Sequence, residues 1–129
     1  DGGRVLAPGP GADRGVMNPT HFAVALKYQE GLRSAPRVVA KGKDLMALRI
    51  RDAAQGAKVP VLQAPPLARA LYKHCELEQS IPAGLYTAVA EVMAYVYQLD
   101  AWMKRGGLPP VAPATLPVPA GMDPGAPEE

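Results

Sequence analysis

One short segment constrains the fold more than any other part of this chain. Residues 22–28 read Phe-Ala-Val-Ala-Leu-Lys-Tyr, so large apolar residues alternate with small or charged ones. Because successive side chains of a strand point to opposite faces, this period of two predicts a β-strand with one face in a hydrophobic core. The alanines on the other face leave room for another element to pack closely.

Strand and helix patterns alternate after this segment, which is typical of an α/β domain. Strands are predicted at residues 37–40 and 59–62, and helices at residues 45–56, 67–74 and 83–104. The first helix begins after Asp44, a plausible N-cap. We expect it to bury Met46, Ala47, Ile50, Ala53, Ala54 and Ala57. We expect the second helix to bury Leu67, Ala70 and Leu71, and the third to bury Leu85, Val89, Val92, Val96, Leu99 and Met103.

The two ends of the chain differ in composition from its centre. Residues 1–15 are rich in glycine and proline, which predicts a flexible linker. Residues 106–129 are rich in proline and predict an extended, disordered tail, which is solvated or binds a partner. A single domain over residues 16–105 lies between them, and its size is sufficient for independent folding.

Charge and cysteine content exclude several classes of function. The net charge is +2, which is too small to indicate nucleic-acid binding. A basic stretch over residues 33–51 is either a solvated face or a surface for acidic partners or lipid headgroups. Cys75 is the single cysteine, so an internal disulfide is impossible, and no metal-site spacing is recognisable. No run approaches the roughly 20 apolar residues of a membrane span, and we expect no signal peptide.

Residues 18–21 read Asn-Pro-Thr-His and carry the chemistry of the chain. Asparagine normally deamidates through attack by the next backbone nitrogen, but Pro19 has no N–H, so this route is closed. The Asn18 side-chain nitrogen can instead attack its own backbone carbonyl, close a succinimide ring and expel the Pro19 nitrogen. The tetrapeptide therefore predicts backbone cleavage between Asn18 and Pro19, whereas the dipeptide alone is also compatible with a tight turn.

Two neighbours are able to assist this reaction. A histidine titrates near neutrality, so His21 can remove or relay a proton. Thr20 can hydrogen-bond the loop or the tetrahedral oxygen. Because an unconstrained Asn-Pro bond breaks very slowly, the fold has to supply the geometry and the base.

Four sequence blocks, at residues 18–28, 35–42, 64–72 and 88–96, follow one another in an order that is similar to a known family. Together they resemble the cytoplasmic domain of the FlhB/YscU family, the autocleaving switch proteins of flagellar and injectisome type III export machines. The resemblance covers about residues 16–103 and favours the flagellar branch. It implies a small mixed sheet of about four strands flanked by helices, with the autocleavage loop between the first two strands.

The resemblance also implies a regulatory module and not a turnover enzyme. Self-cleavage would condition the export apparatus to change substrate class, in a flagellum from rod and hook proteins to filament proteins. The implied partners are export substrates, other export-gate components, the hook-length control protein, and the two cleavage fragments for each other. No cofactor and no nucleic acid are implied. The implied location is the cytoplasmic face of the bacterial inner membrane, reached through membrane helices that precede this domain in the family.

A substrate-binding depression is implied in flagellar members of the family. Its residues map onto Ala35, Pro36, Ala90 and Met93, of which the first three match and Met93 stands where leucine is usual. Simple packing of a turn on a helix is the alternative interpretation. The chain departs from the family before Asn18, where Arg14 and Gly15 replace apolar strand formers. This departure predicts a leading strand that is short or partly lost.

Other functions are compatible with parts of the sequence. An injectisome switch protein of the same family is the nearest alternative. A hydrolase using Thr20, His21 and an acid is a second, although the chain has no nucleophile elbow or glycine-rich oxyanion motif. An inert structural linker of a membrane complex is a third, and it would show no cleavage.

Overall fold

The computed structural model describes residues 4–7, 21–27 and 35–125 of the 129-residue chain. Three strands come first, followed by a helix, a fourth strand and two further helices. This mixture of strands and helices confirms the predicted α/β class. The strands are β1 (Arg4–Ala7), β2 (Phe22–Lys27), β3 (Arg37–Lys43) and β4 (Val61–Gln63). The helices are α1 (Leu45–Gly56), α2 (Pro65–His74) and α3 (Tyr86–Arg105), with 3₁₀ turns at Ala83–Leu85 and Ala120–Met122.

The strands form one sheet in the order β3-β2-β1-β4. β2 pairs antiparallel with β3 and with β1, whereas β1 pairs parallel with β4. Val5 stands opposite Ala25 on one side and Val61 on the other, so the backbone of β1 is paired at both edges. The predicted mixed sheet of about four strands is therefore confirmed, and β1 and β2 lie at its centre.

Helices cover both faces of the sheet. On one face, β2 and β3 contribute Val24, Leu26 and Val38 to the main core, which α2 and α3 complete. On the other face, Ala23 packs with Ala47 and Ala54 of α1. The small residues of β2 thus lie where another element approaches closely, as its alternating pattern predicts. α1 also lies close to β3, where a Cβ on Gly42 would collide with the Met46 side chain.

The buried faces of α2 and α3 agree with the predicted apolar stripes over most of their length. Leu67, Ala70 and Leu71 of α2 are fully buried, as are Leu85 and the α3 residues Val89, Val92 and Val96. The prediction is wrong for Met103, which is 71% exposed. No α3 residue after Val96 is fully buried, because the last turns of this helix extend beyond the core.

The sequence pattern predicts more buried residues on α1 than the structure has. Met46 is 49% exposed, and Ala53 and Ala57 are also exposed. Only Ala47 and Ala54 are buried, with Ile50 half-buried between them. α1 meets the sheet through this single narrow stripe, because no further element packs on its outer side within the described residues.

A lysine joins β3 to the end of α2. The Lys41 ammonium donates hydrogen bonds to the carbonyls of Tyr72 (2.9 Å) and Cys75 (3.0 Å), where the helix leaves carbonyls without intrahelical partners. It also lies 5.2 Å from the centre of the Tyr72 ring, and its side chain is only 19% exposed. Lys41 thus acts as a cap that fixes α2 to the sheet.

Replacing Lys41 with methionine should lower the free energy of unfolding by about 2 kcal/mol, because two largely shielded carbonyls lose a charged donor. Urea denaturation followed by circular dichroism measures this effect. Lys43→Met, at an exposed position of the same strand, is the matched control and should change stability by less than about 0.5 kcal/mol. Equal losses in both variants would contradict the capping role.

The predicted flexible linker over residues 1–15 is wrong at residues 4–7. These residues form β1, which hydrogen-bonds two neighbouring strands. Pairing at both edges satisfies the backbone of a segment that glycines and prolines surround in the sequence. The weak leading strand expected over residues 12–17 lies outside the described residues. Because residues 8–21 connect β1 to β2, the segment containing Asn18 does join the first two strands.

The predicted disordered tail is wrong over residues 106–125. At the end of α3, Gly106 and Gly107 adopt φ values of 74° and 96°, which glycine tolerates best. The Trp102 indole N–H donates to the Gly107 carbonyl (3.0 Å). The chain then returns to the domain, and Leu116, Val118 and Met122 pack against the main core. Burial of these apolar residues offsets the conformational entropy that the chain loses when the segment becomes ordered. Composition alone does not reveal this burial.

Candidate functional site

Of the predicted cleavage residues, His21 is the one that the structure describes. Asn18, Pro19 and Thr20 lie outside the described residues. His21 directly precedes β2 and is half-buried. Its carbonyl accepts a hydrogen bond from the Asp44 backbone N–H at 2.9 Å. The chain three residues after Asn18 is therefore fixed to the start of α1.

Asp44 occupies the predicted N-cap position of α1 but does not cap it with its side chain. It instead has φ 54° and ψ −121°, a conformation that suits glycine and is strained for other residues. Its Oδ1 atom is buried and has no hydrogen-bond partner among the described residues. The sequence does not predict this backbone conformation, because it accompanies a contact with His21, which is distant in the sequence.

The four residues of the implied substrate site lie together. Ala35, Pro36, Ala90 and Met93 line one open cavity of about 540 Å³. Two of these residues precede β3 and two lie on α3, more than fifty positions later in the sequence. The fold thus brings together residues that are distant in the sequence.

Three further residues line the same cavity, namely Ile81, Tyr86 and Val89. Sequence reasoning missed them, although Tyr86, Val89 or Ala90, and Met93 follow the spacing of one helix face. Ile81 and Val89 are buried and form the floor, whereas Tyr86 is 49% exposed at the rim. An open, apolar depression of this kind can accept apolar side chains of a partner peptide.

Backbone hydrogen bonds connect the two walls of the cavity. The Ile81 N–H donates to the Pro36 carbonyl at 3.2 Å, and the Glu78 N–H donates to the Val38 carbonyl at 2.7 Å. The Val38 N–H in turn donates to the Gln79 carbonyl at 3.4 Å. The segment before α3 is thereby held against the start of β3, which preforms the depression.

The Cys75 thiol lies near this segment but does not line the cavity. Its Sγ lies 3.5 Å from the carbonyl oxygens of Gln79 and Ser80, and the residue is 3% exposed. Burial raises the pKa of this thiol above its ordinary value. A protonated, buried thiol is a poor nucleophile, so Cys75 is a packing residue.

Within residues 4–7, 21–27 and 35–125, no cluster of three or more potential metal ligands is present. In the same part of the chain, no helix combines the length and the apolar character needed to cross a membrane.

Comparison with solved structures places this fold in one group. The cytoplasmic domain of FlhB from Shewanella putrefaciens matches with a TM-score of 0.72 at 45% sequence identity, over 79% of this chain and 80% of that chain. A mutated EscU C-terminal domain matches with a TM-score of 0.59 at 32% identity, over 70% of this chain and 81% of that chain. The PscU C-terminal domain matches with a TM-score of 0.54 at 41% identity, over 57% of this chain and 92% of that chain.

Curated relatives give the same result. The flagellar biosynthetic protein FlhB of Escherichia coli (strain K12) is 57% identical over 120 residues, which is 93% of this chain and 31% of the relative. The protein of that name from Yersinia enterocolitica is 56% identical over 120 residues, which again is 93% of this chain and 31% of the relative. The chain thus spans about a third of the length of these relatives. Residues 3–96 match the model of the family described as FlhB HrpN YscU SpaS, and the chain belongs to this family.

Proposed function

We propose that this chain is the cytoplasmic part of a flagellar type III export apparatus protein, which cuts its own backbone between Asn18 and Pro19. The cut conditions the apparatus to change the class of substrate that it exports. The whole protein lies at the inner membrane, and this part faces the cytoplasm. The flagellar branch is favoured over the injectisome branch, since the FlhB domain matches with a higher TM-score than the EscU and PscU domains.

The position of Asn18 between β1 and β2 is the observation that carries this proposal. The two strands are antiparallel neighbours at the centre of the sheet, so the ends of the intervening segment are both held. On the downstream side, His21 is tied to Asp44, and Phe22 stands opposite Lys43 of β3. Holding both ends is one way in which a fold can favour a reactive geometry over the many of a free peptide.

The reaction balances without a cofactor. The Asn18 side-chain nitrogen forms a bond to its own backbone carbonyl carbon, and the bond from that carbon to the Pro19 nitrogen breaks. A proton leaves the amide and reaches the proline nitrogen, with His21 as the candidate relay. The products are a C-terminal succinimide and a free N-terminal proline. Because the chain consumes itself in one event, it is not a turnover enzyme.

The purpose of the cut is conformational. It releases the covalent connection between two neighbouring strands and creates a new carboxyl end and a new amino end. β1 stays between β2 and β4, hydrogen-bonded at both edges, so the core is retained. The cut therefore changes a surface that partner proteins of the export gate can recognise.

Mass spectrometry of the purified chain tests this proposal. In denaturant we expect two pieces of 18 and 111 residues. The shorter one should be partly present as the succinimide, one water lighter than the hydrolysed form. Under native conditions the pieces should stay together, because β1 lies on the shorter piece. An intact chain in denaturant would contradict self-cleavage.

The cavity is the proposed contact for export substrates. Its residues Ala35, Pro36, Ala90 and Met93 form a preformed apolar depression that faces solvent. We propose that it receives a short apolar export signal of rod and hook proteins. Apolar contact gives most of the affinity, since Tyr86 brings the only side-chain polar atom among the lining residues.

A further inference from the structure

The C-terminal segment returns along α3 to the opposite end of the domain. α3 has 20 residues and is about 30 Å long at the usual rise of a helix. Residues 108–119 span about 37 Å if they are extended as proline-rich chains are. The segment is therefore long enough to run from the end of α3 to its beginning, where Pro119 and Met122 lie over Gly84.

The large apolar residues of this segment that pack against the main core lie in its second half. Leu108 and Val111 are 94% and 89% exposed. By contrast, Leu116, Val118 and Met122 are half-buried against the main core. At Gly84, the sulfur of Met122 lies 2.8 Å from the point where a Cβ would stand. The surface that this segment contacts runs from Arg69 of α2 to Gly84 just before α3. It is called the groove between α2 and the start of α3.

An ion pair completes this contact. The Arg69 Nε and a terminal guanidinium nitrogen donate to the two carboxylate oxygens of Asp123 at 2.7 and 2.9 Å. The Asp123 side chain is 7% exposed and that of Arg69 is 22% exposed. The hydrogen bond from Arg69 holds the pKa of Asp123 below its usual range, so the carboxylate is ionised at neutral pH. Shielded, bidentate pairs of this kind are more specific than exposed ones.

We propose that the groove between α2 and the start of α3 is a docking site for residues 116–125 of this same chain, which Arg69 recognises through the carboxylate of Asp123. The docked segment holds Gly84, two residues before the cavity residue Tyr86, and so fixes one wall of the cavity. The docking itself is independent of the proposed function, whereas its importance for substrate binding rests on that function.

A matched pair of glycine substitutions tests the docking in the full chain. A Cβ on Gly125 would lie within 3.0 Å of three atoms of the Arg69 side chain, whereas a Cβ on Gly121 would meet nothing within 4 Å. The Gly125→Ala and Gly121→Ala variants have the same amino-acid composition, and both substitutions lie in the same short segment. Weaker docking is expected in the first variant alone, because the Arg69 side chain that binds Asp123 would have to move away from the added methyl group.

Amide hydrogen exchange measured by NMR reports the result. The probes are the amides of Val118 and Met122, which donate to the carbonyls of Leu116 and Pro119. Gly125→Ala should speed their exchange by about tenfold, and Gly121→Ala by less than about twofold, since charge-assisted bonds are the strong ones. Equal rates in the two variants, or unprotected amides in the unsubstituted chain, would overturn the proposal.

Charge variants give an independent readout of the ion pair. Asp123→Asn and Arg69→Gln should each speed exchange at Val118 and Met122 as Gly125→Ala does. The reversed pair, Arg69→Asp with Asp123→Arg, should restore at least part of the protection. Protection that is unchanged in both single variants would exclude recognition through the carboxylate. Protection that grows with protein concentration would show docking of the segment from a second copy and would also overturn the proposal.

Discussion

We expect the Asn18→Ala variant to stay whole in denaturant, whereas the unsubstituted chain should give two pieces. Alanine has no side-chain amide, so no succinimide can form and the bond to Pro19 is not attacked. Asn18 is the only asparagine of the chain, so the substitution removes the one residue able to react in this way. The loss of cleavage should be complete on the timescale of purification, as measured by mass spectrometry. If this variant is still cut at the same bond, an external protease is responsible.

The two histidines supply a control for the proton relay. His21 is half-buried and its backbone is tied to Asp44, whereas His74 is exposed at the end of α2. His21→Ala should slow cleavage by about 10²-fold or more, the usual contribution of a positioned acid or base. His74→Ala should cleave at the normal rate. Equal rates in the two variants would reduce His21 to a structural residue.

Substrate binding should fall when a charge is placed in the cavity. Ala90 is exposed on α3 and lines the cavity, so Ala90→Asp should change the free energy of unfolding by less than about 0.5 kcal/mol. A docked apolar segment would bury the new carboxylate without a partner, at a cost of about 1–3 kcal/mol. The affinity for a hook protein of the same bacterium should therefore fall about tenfold or more, as measured by titration calorimetry.

Ala94→Asp is the matched control for this variant. Ala94 is exposed on the same helix but does not line the cavity. It should leave both stability and substrate affinity nearly unchanged. If the Ala90 and Ala94 variants bind the hook protein equally well, the substrate site lies elsewhere. If the Ala90→Asp variant unfolds at a much lower urea concentration than the Ala94→Asp variant, residue 90 is a packing residue.

The central position of β1 in the sheet should keep this strand in place after the proposed cleavage. A strand that is paired at one edge can leave a sheet by breaking one ladder, whereas β1 would have to break two. Cleavage is therefore expected to alter the surface near the cut and to leave the cavity, which lies between the start of β3 and α3, in place.

The sequence by itself determined the features that local patterns encode. The period of two over residues 22–27 predicted β2, and apolar stripes predicted α2 and most of α3. The chemistry expected at Asn18 also follows from adjacent residues, because it depends on the absent N–H of Pro19. The four cavity residues were predicted as a set by resemblance to a family, and the structure places them together.

Only the tertiary structure decided where weakly patterned segments lie. β1 has four residues between glycines and prolines, and its place in the sheet comes from pairing with β2 and β4. The proline-rich segment was predicted to be disordered, yet Arg69 and the core hold its second half. Asp44 owes its strained backbone to a position between β3 and α1, where its N–H meets the His21 carbonyl. Each of these features depends on partners distant in the sequence, and neither periodicity nor composition records such contacts.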